Sequence, residues 1–380
     1  MDEAAVLGAI GELAPALRER TDETEAAGRL PEDLARGLAR AGLFRLWTPR
    51  AVGGLELSPS AGLRAIEAAA HADAAAGWLG MIASTSGIGG AFMDPANARE
   101  VFGREAGISC GVFASSGEAV ETPEGYVVTG RWSWASGSRN ADWIGAGCIV
   151  TPMAEGAPKT RRSVLFRPDQ LTFADNWQVL GLSGSSSGDI IADGVLVPRD
   201  RVYSPTPAER VDPGPLYAIP YMSMLAMAVG AVHLGNLTAL FDEVRGLALT
   251  KVPSMARKPL IERVHVQLAL AHTEAELLAA RALLHQAGDT LWALAQAGAP
   301  IALEHRALAR MAASHCATVA QAGLSRLHEL AGGSAVFLTS PVQRRLRDGM
   351  TMTQHAMTAS GTWELIGRAR AGLPGEFGLF

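Results

Sequence analysis

The sequence predicts an α+β fold that is mainly α, with an N-terminal helical domain (1–105), a central antiparallel β barrel (106–205) and a C-terminal four-helix bundle (206–380). Two observations predict it. Apolar residues recur at helical spacing in the first and last parts of the chain, whereas the middle part alternates short β-rich runs with turn residues. A chain of 380 residues is long enough to bury the cores of two or three such domains.

The N-terminal part has the periodicity of amphipathic helices. Val6, Ile10, Leu13 and Leu17 follow one helical face, and Pro31 suits the first turn of a later helix. Two apolar helices are expected around 59–76 and 78–92. They end near Asp94 and Pro95, where an aspartate–proline pair interrupts the helical pattern.

The middle part has the composition of β-strands. Runs rich in Val, Ile, Thr and aromatic residues are separated by Gly, Pro and Ser, and Pro123-Glu124-Gly125 predicts a hairpin turn between two of them. The last part returns to long helical runs at 216–249, 258–297, 302–331, 341–350 and 352–371. Helices of this length with short connections indicate an antiparallel bundle.

Composition excludes several classes of function. The net charge of −5 and the absence of a long basic run argue against a nucleic-acid partner. The three cysteines have no metal-ligand spacing, so no metal site is expected. The most apolar stretch, 222–240, is broken by His233 and Asn236, which suits a buried helix better than a membrane span. The expected location is the cytoplasm.

Several motifs resemble the acyl-CoA dehydrogenase superfamily over nearly the whole chain. The clearest is GYVVTGRWSWASG (125–137), which is similar to the strands that cradle the flavin in that family. The segments 177–181 and 185–189, and the run from Ala331 to Asp348, resemble further family motifs in the same order. Together the pieces identify the fold more strongly than any one of them does.

The resemblance implies a flavin site in the β domain. A flavin needs an aromatic wall and polar donors for one edge of its ring. Trp132 and Trp134, two residues apart and therefore expected on one face, are candidates for the wall. The further candidates for contacts with the flavin edge or its phosphates are Ser136, Ser138, Ser186, Ser187, Arg257, Gly332 and Gly333. The alternative is that the tryptophans fill the core, the serines belong to ordinary turns and Arg257 forms a surface ion pair.

The glutamate base of acyl-CoA dehydrogenases is missing. Counting from the Arg347-Asp348 pair, the family's base position is Ala356, and His355 precedes it. The segment 349–363 has no carboxylate, and the other helix that supplies a base in the family runs from Ser223 to Leu240 without one. Oxidation of an acyl-CoA is therefore disfavoured, because it requires a carboxylate to remove the α proton.

A histidine in this region resembles the flavin-dependent two-component monooxygenases of the same superfamily. The segments 73–78 (DAAAGW) and 111–117 (GVFASSG) are similar to motifs of that branch. The resemblance implies a catalytic His355, which would deprotonate a phenol or amine or steady the proton of a flavin hydroperoxide. Ser115 and His71 are further catalytic candidates, and Trp78, Met81 and Met224 are candidates for the substrate pocket.

The predicted function is the oxygenase component of a two-component flavin-dependent monooxygenase acting on an aromatic or other small organic substrate. Reduced FMN or FAD and O₂ would be required, with the flavin supplied by a separate NAD(P)H-dependent reductase. A homotetramer is expected from the family. The alternatives are an acyl-CoA dehydrogenase or oxidase with a non-standard base, an N-oxygenase of an amine or amino sugar, and a non-catalytic relative.

Overall fold

The computed structural model describes residues 1–254 and 256–380. In the N-terminal part, capping residues mark the helix starts. Asp73 separates two buried helices because its side chain accepts a hydrogen bond from the N–H of Ala76 at 2.9 Å and caps the second. The six N-terminal helices are α1 (Glu3–Glu19), α2 (Thr21–Ala27), α3 (Glu32–Arg40), α4 (Pro59–Ala72), α5 (Ala74–Gly87) and α6 (Pro95–Phe102).

The β domain is one seven-stranded sheet with the strand order β5-β6-β2-β1-β3-β4-β7. The predicted hairpin turn is present, and it pairs Thr122 with Gly125. In the described part of the chain, β5 and β7 end the sheet, so it is open rather than closed into a barrel. The strands are β1 (Ser109–Thr122), β2 (Gly125–Trp132), β3 (Trp143–Thr151), β4 (Thr160–Phe166), β5 (Thr172–Phe173), β6 (Ile190–Val197) and β7 (Val202–Tyr203).

One strand pair departs from the antiparallel prediction. β1 and β3 run parallel, because β2 returns beside β1 on one side and the connection from 133 to 142 brings β3 to its other side. The register between them shifts from Val112 to Gly117, which marks a bulge in β1. The predicted fold class, with helices before and after a central sheet, is confirmed.

The C-terminal helices pack around α7, which is buried along most of its length. This helix is long and apolar enough to span a membrane, but 94% of its most apolar stretch lies inside the protein, as expected of a core helix. The helices are α7 (Tyr221–Thr250), α8 (Val264–Gln296), α9 (Leu303–Ala331), α10 (Pro341–Met352) and α11 (Thr362–Arg370).

The predicted helix over 352–371 is shorter in the structure. α10 ends at Met352, a segment of turns follows, and α11 begins at Thr362. This irregular segment carries His355. It lies close to the loop at 180–188, because α10 approaches Gly181 so closely that a Cβ there would lie 2.3 Å from the carbonyl carbon of Arg347.

Candidate functional site

A mainly apolar cavity of about 410 Å³ lies where α5, the β domain, α7 and the segment after α10 meet. Aromatic, aliphatic and small polar side chains form its wall. The residues that line it are Trp78, Ile82, Thr85, Gly111, Val112, Phe113, Ala114, Ser133, Trp134, Ser136, Trp177, Leu182, Ser187, Tyr221, Met222, Leu225, Thr351, Gln354, His355, Ala356 and Met357. Among the described residues, none of the lining side chains is a carboxylate, a lysine or an arginine.

Helical periodicity decides which side chains of α5 and α7 reach this cavity. On α5, the lining residues Trp78, Ile82 and Thr85 are separated by four and three positions, and on α7 Met222 and Leu225 are separated by three. Each set therefore occupies one face of its helix. Because Asp73 fixes the start of α5, it also fixes the direction in which Trp78 points.

His355 lies in the cavity wall beside Trp78. Their ring centroids are 5.4 Å apart with an interplanar angle of 76°, so the rings meet edge to face. The backbone N–H of Met357 donates a hydrogen bond to Nδ1 of His355 at 3.2 Å. A backbone N–H can only donate, so Nδ1 is the acceptor and the neutral ring carries its hydrogen on Nε2. Neutral His355 is thus a hydrogen-bond donor through Nε2.

The surroundings of His355 keep its imidazole neutral. Burial, together with the smaller effect of the positive charge of Arg310 on α9, lowers the pKa of His355 to about 4. The Arg310 side chain is 3% exposed, its Nη1 lies 2.7 Å from Sδ of Met357, and its guanidinium faces the ring of Phe380. Burial also lowers the pKa of the neighbouring His233 on α7 to about 3.

Buried serines form a hydrogen-bonded row on the side of the cavity formed by the β domain. Nε1 of Trp78 donates to Oγ of Ser136 at 3.0 Å, and Oγ of Ser136 lies 2.6 Å from Oγ of Ser187. Oγ of Ser187 lies 2.7 Å from Oγ of Ser185, which donates to the carbonyl oxygen of Leu182 at 2.6 Å. We call this row, from Trp78 to the Leu182 carbonyl, the serine chain. It holds Ser136 and Ser187 in fixed positions at the cavity wall.

Trp134 and Trp177 form the aromatic part of the same wall. Their ring centroids are 5.5 Å apart with an interplanar angle of 82°. Trp134 has a φ of 66° and lies beyond the end of β2, so the two-residue alternation that predicts one face for Trp132 and Trp134 does not reach it. Trp132 is instead fully buried in the sheet core, where its Nε1 donates to the carbonyl oxygen of Gly147. Trp134 is 65% exposed.

A second cavity of about 410 Å³ shares Trp177 with the first and is more polar. Ser138 and Ser186 line it, whereas Ser136 and Ser187 line the apolar cavity. Arg29 and Arg139, both exposed, add two positive charges to the second cavity. Asp175 and Asp189 add two carboxylates, of which Asp189 is paired with Arg131. The four predicted serines are therefore divided between two adjoining cavities.

The structure places the other predicted catalytic residues outside the cavity lining. His71 lies on α4, where its ring nitrogens contact Arg18 and Asp242 at 3.2 and 3.0 Å, so it takes part in a surface ionic cluster. Ser115 lies in the bulge of β1, and its neighbour Ala114 is the residue that lines the cavity. Met81 and Met224 are fully buried in the helical core. They lie on other faces of α5 and α7 than the residues that line the cavity, such as Ile82 and Met222.

Arg257, Gly332 and Gly333 are exposed at the far ends of the long helices. Arg257 lies in the connection between α7 and α8, and the two glycines follow the end of α9. None of the three lines either of the two cavities described here. Their predicted contacts with the flavin remain predictions.

Three contributors to the site escape the sequence patterns. Tyr221 begins α7 and stacks on Phe113 at 5.0 Å and 17°. Arg310 and Met357 lie 47 residues apart in the chain and meet behind His355. An arginine within the buried face of α9 is the one sequence signal that could have identified this contact, since unpaired arginines are rarely buried.

Comparison with known proteins agrees with this architecture. Residues 10–97 match the family model "Acyl-CoA dehydrogenase, N-terminal domain", and residues 227–360 match "Acyl-CoA dehydrogenase, C-terminal domain". The two matches lie on the two helical regions that enclose the cavity.

Among the similar proteins, indole-3-acetate monooxygenase of Pseudomonas putida is 28% identical, over 92% of this chain and 89% of that protein. The oxygenase component of the FADH₂-dependent resorcinol hydroxylase of a Rhizobium species is 27% identical, over 97% of this chain and 94% of that protein. The crystal structure of the HsaA monooxygenase from M. tuberculosis covers 100% of both chains, with a TM-score of 0.91 and 26% identity. The chain belongs to the acyl-CoA dehydrogenase superfamily, and its relatives there are flavin-dependent monooxygenases.

Proposed function

We propose that this protein is the oxygenase component of a two-component flavin-dependent monooxygenase that acts on a small aromatic substrate. The observation that carries the proposal is the composition of the apolar cavity. An aromatic wall, a serine edge and a neutral histidine face it, and within the described residues no carboxylate does. A dehydrogenase would need such a carboxylate, whereas an oxygenase needs an apolar, water-poor pocket.

The residues of the cavity fit a flavin ring. Trp134 and Trp177 offer aromatic surface for a flat ring, and the large exposed face of Trp134 gains burial when a ring covers it. Ser136 and Ser187 supply polar contacts for its edge. In the second cavity, Arg29 and Arg139 are the cationic side chains that could pair with the flavin phosphate, and the Asp189 carboxylate there is already paired with Arg131.

A bound reduced flavin supplies two electrons for the activation of O₂, of which one atom enters the substrate and the other leaves as water. The protein contributes position and environment. His355, held neutral, donates through Nε2 to an oxygen of the substrate or of the activated O₂. Of the two roles expected for His355, hydrogen-bond donation therefore fits better than proton abstraction, which requires a free nitrogen lone pair on the cavity side.

The alternatives are less well supported by the cavity. An amine substrate that binds as a cation would meet neutral side chains and the positive charge of Arg310 nearby. Such a substrate would be bound only as the free amine. A neutral phenol or indole, by contrast, needs apolar surface and one hydrogen-bond donor or acceptor, and the cavity supplies both.

The accompanying proposals concern supply and assembly. A separate NAD(P)H-dependent reductase would provide the reduced FMN or FAD, in the cytoplasm. Val336, Phe337 and Leu338 form an exposed apolar run after α9, each more than two thirds exposed, which supports association into the homotetramer. Light scattering of the purified protein, compared with a Phe337→Asp variant, tests this assembly.

The test of function uses isotopically labelled oxygen. Anaerobically reduced FMN or FAD is bound to the protein and mixed with ¹⁸O₂ and a probe, either indole or resorcinol. The expected result is a hydroxylated product with one ¹⁸O atom and less hydrogen peroxide than free flavin produces. Release of all the oxygen as hydrogen peroxide with both probes, together with bleaching of bound oxidised FAD by butyryl-CoA, would establish the dehydrogenase alternative instead.

A further inference from the structure

A small cavity of about 20 Å³ adjoins the apolar cavity, between β1, β4, β7 and the start of α7. Its volume suffices for one water molecule. The polar residues Ser86, Ser163 and Tyr203 line it, and Phe102 and Leu165 add apolar surface. Among the described residues that line it, none belongs to the serine chain, so the contacts proposed for the flavin leave this space unused.

The two cavities share part of one wall. Phe113 and Tyr221 belong to both linings, and their rings stack with centroids 5.0 Å apart and an interplanar angle of 17°. Gly111 also belongs to both, and its partner in the β1–β3 pair is Gly145, so no side chain fills the space between the strands at this position. The closure between the cavities therefore depends chiefly on the stacked rings, with Val112 beside them.

The two rings are held unequally. Tyr221 is the first residue of α7, and its hydroxyl group hydrogen-bonds with Thr85 on α5. Phe113 is 39% exposed, and the register of β1 against β3 shifts between Val112 and Gly117, which interrupts the ladder of hydrogen bonds around it. Tyr221 is therefore the fixed ring and Phe113 the less constrained one.

We propose that Phe113 and Tyr221 together determine the length of the substrate that the enzyme accepts. The inference rests on the proposed function, because it takes the apolar cavity as the place where flavin and substrate meet. The flavin ring must share the 410 Å³ with the substrate, so little space is left beyond a single aromatic ring or a fused pair. A longer apolar substrate has to displace the stacked rings and lose their mutual contact before it reaches the small cavity behind them. An apolar extension on the substrate ring therefore brings no gain in binding.

Phe113→Ala tests the proposal by removing the less constrained ring. The probes are resorcinol and 4-hexylresorcinol, which have the same phenolic ring and differ by an apolar chain. Calorimetric titration of the protein loaded anaerobically with reduced FMN or FAD measures the dissociation constant of each probe. The wild-type protein should gain nothing from the chain. The variant should bind 4-hexylresorcinol at least about tenfold more tightly than resorcinol, the effect of burying two methylene groups.

Three further variants complete the test. Tyr221→Ala removes the other ring and should change the ratio of the two dissociation constants in the same direction. Tyr221→Phe keeps the stacked ring but loses the hydroxyl group, and it should keep the wild-type ratio. Phe102→Leu changes the small cavity outside the shared wall and should also keep the wild-type ratio.

Two kinds of failure can be told apart. A ratio unaltered in both Phe113→Ala and Tyr221→Ala, or a wild-type protein that already prefers 4-hexylresorcinol tenfold, overturns the inference alone. A wild-type protein that binds neither phenol nor indole in the presence of reduced flavin refutes the small aromatic substrate of the proposed function.

Discussion

The surroundings of the two ends of α10 differ in whether buried arginines have carboxylate partners. Near its start, Arg344, Arg345 and Arg347 all pair with carboxylates of other helices. Beyond its end, the segment that carries His355 lines a cavity without charged side chains among the described residues, and the cation behind it, Arg310, contacts a methionine sulfur instead of a carboxylate. The arginines that hold α10 against other helices are therefore paired with carboxylates, whereas the arginine next to His355 is not.

Arg345 shows how complete the compensation is. Its guanidinium pairs with Glu243 and donates to the carbonyl oxygens of Ala70, His71 and Ala72 at 3.2, 2.9 and 3.0 Å. These are the last carbonyls of α4, which lack partners within their own helix. The arginine thereby closes α4 and fixes α10 against it. Arg310 is similarly buried but contacts a methionine sulfur, and its positive charge lowers the pKa of His355.

The largest effect is expected for His355→Ala. Hydroxylation should fall by about 10²- to 10⁴-fold, the range for losing a proton-transferring or hydrogen-bonding side chain at a reacting centre. Flavin binding should persist because the serine chain is intact. Product and hydrogen peroxide formed per reduced flavin measure the effect. His272→Ala, at an exposed position on α8, is the control, and equal turnover in the two variants would remove His355 from the mechanism.

Arg345→Met should be the most damaging change to stability. It leaves Glu243 and three helix-terminal carbonyls without their donor, and breaking a buried ion pair costs about 3–5 kcal/mol. Urea unfolding measures the loss. The matched control is Arg344→Met, one residue earlier. Its partner Asp22 is 86% exposed and its other partner, Glu25, keeps its pair with Arg347, so the loss should be within about 1 kcal/mol. Similar losses for both variants would contradict the distinction.

His233, which lies on α7 near His355, makes the stability of the protein depend on pH. Burial lowers the pKa of His233 to about 3, below the 6.5 of the unfolded chain, and neither ring nitrogen has a hydrogen-bond partner among the described residues. Only the unfolded chain binds a proton between these values, so stability falls as the pH drops from 6.5 toward 3. His233→Met should remove about 2 kcal/mol of this loss at pH 5, from 1.36 kcal/mol per pKa unit.

Melting temperatures at pH 7.5 and pH 5 test this expectation. The difference between them should be smaller for His233→Met than for the wild-type protein. His272→Met, at an exposed site, should show the wild-type difference. An unchanged difference in His233→Met would mean that other groups govern the acid instability.

The smallest effect, and the most direct probe of the uncompensated cation, is expected for Arg310→Met. Because burial is the larger cause of the lowered pKa of His355, removing the charge should raise that pKa only part of the way from about 4 toward its ordinary value. The acid limit of hydroxylation, where His355 becomes protonated, should move to higher pH. Deuterium exchange at the C2 hydrogen of each histidine, followed by mass spectrometry, reports this pKa independently of activity.

The control for this measurement is Arg326→Met, which removes an arginine paired with Glu276 elsewhere in the bundle. The pKa of His355 should be unchanged in that variant. Arg310→Met is also expected to lower the melting temperature, because it changes a buried side chain. A lower melting temperature without any shift in the pKa of His355 would assign Arg310 a purely structural role.

Much of the fold follows from local chemistry, and for that reason it could be predicted. Pro123-Glu124-Gly125 predicts a turn and the spacing of apolar residues predicts helices, although the boundary predicted between 76 and 78 lies at Asp73 in the structure. The position of His355 followed from counting residues after Arg347-Asp348. Each of these inferences depends on neighbours in the chain, where sequence patterns are informative.

The remaining parts of the site depend on contacts that no local pattern contains. Trp134 lines the cavity while Trp132 stays in the sheet core, because Trp134 adopts a positive φ. Met222 replaces Met224 in the cavity because the phase of α7 depends on where that helix begins. The pairing of Arg310 with Met357 requires the packing of α9 against the segment after α10. The serine chain likewise forms only when distant residues are brought together.

The backbone of Leu182 joins the two walls of the cavity. Its carbonyl ends the serine chain, while its N–H donates to Asp348 on α10 at 2.7 Å, in the helix that precedes His355. The width of the cavity between the serine chain and the segment that carries His355 therefore depends on one residue. An engineer who enlarges either wall for a bulkier substrate should expect the other to move with it. Improvements found separately on the two sides will not simply add.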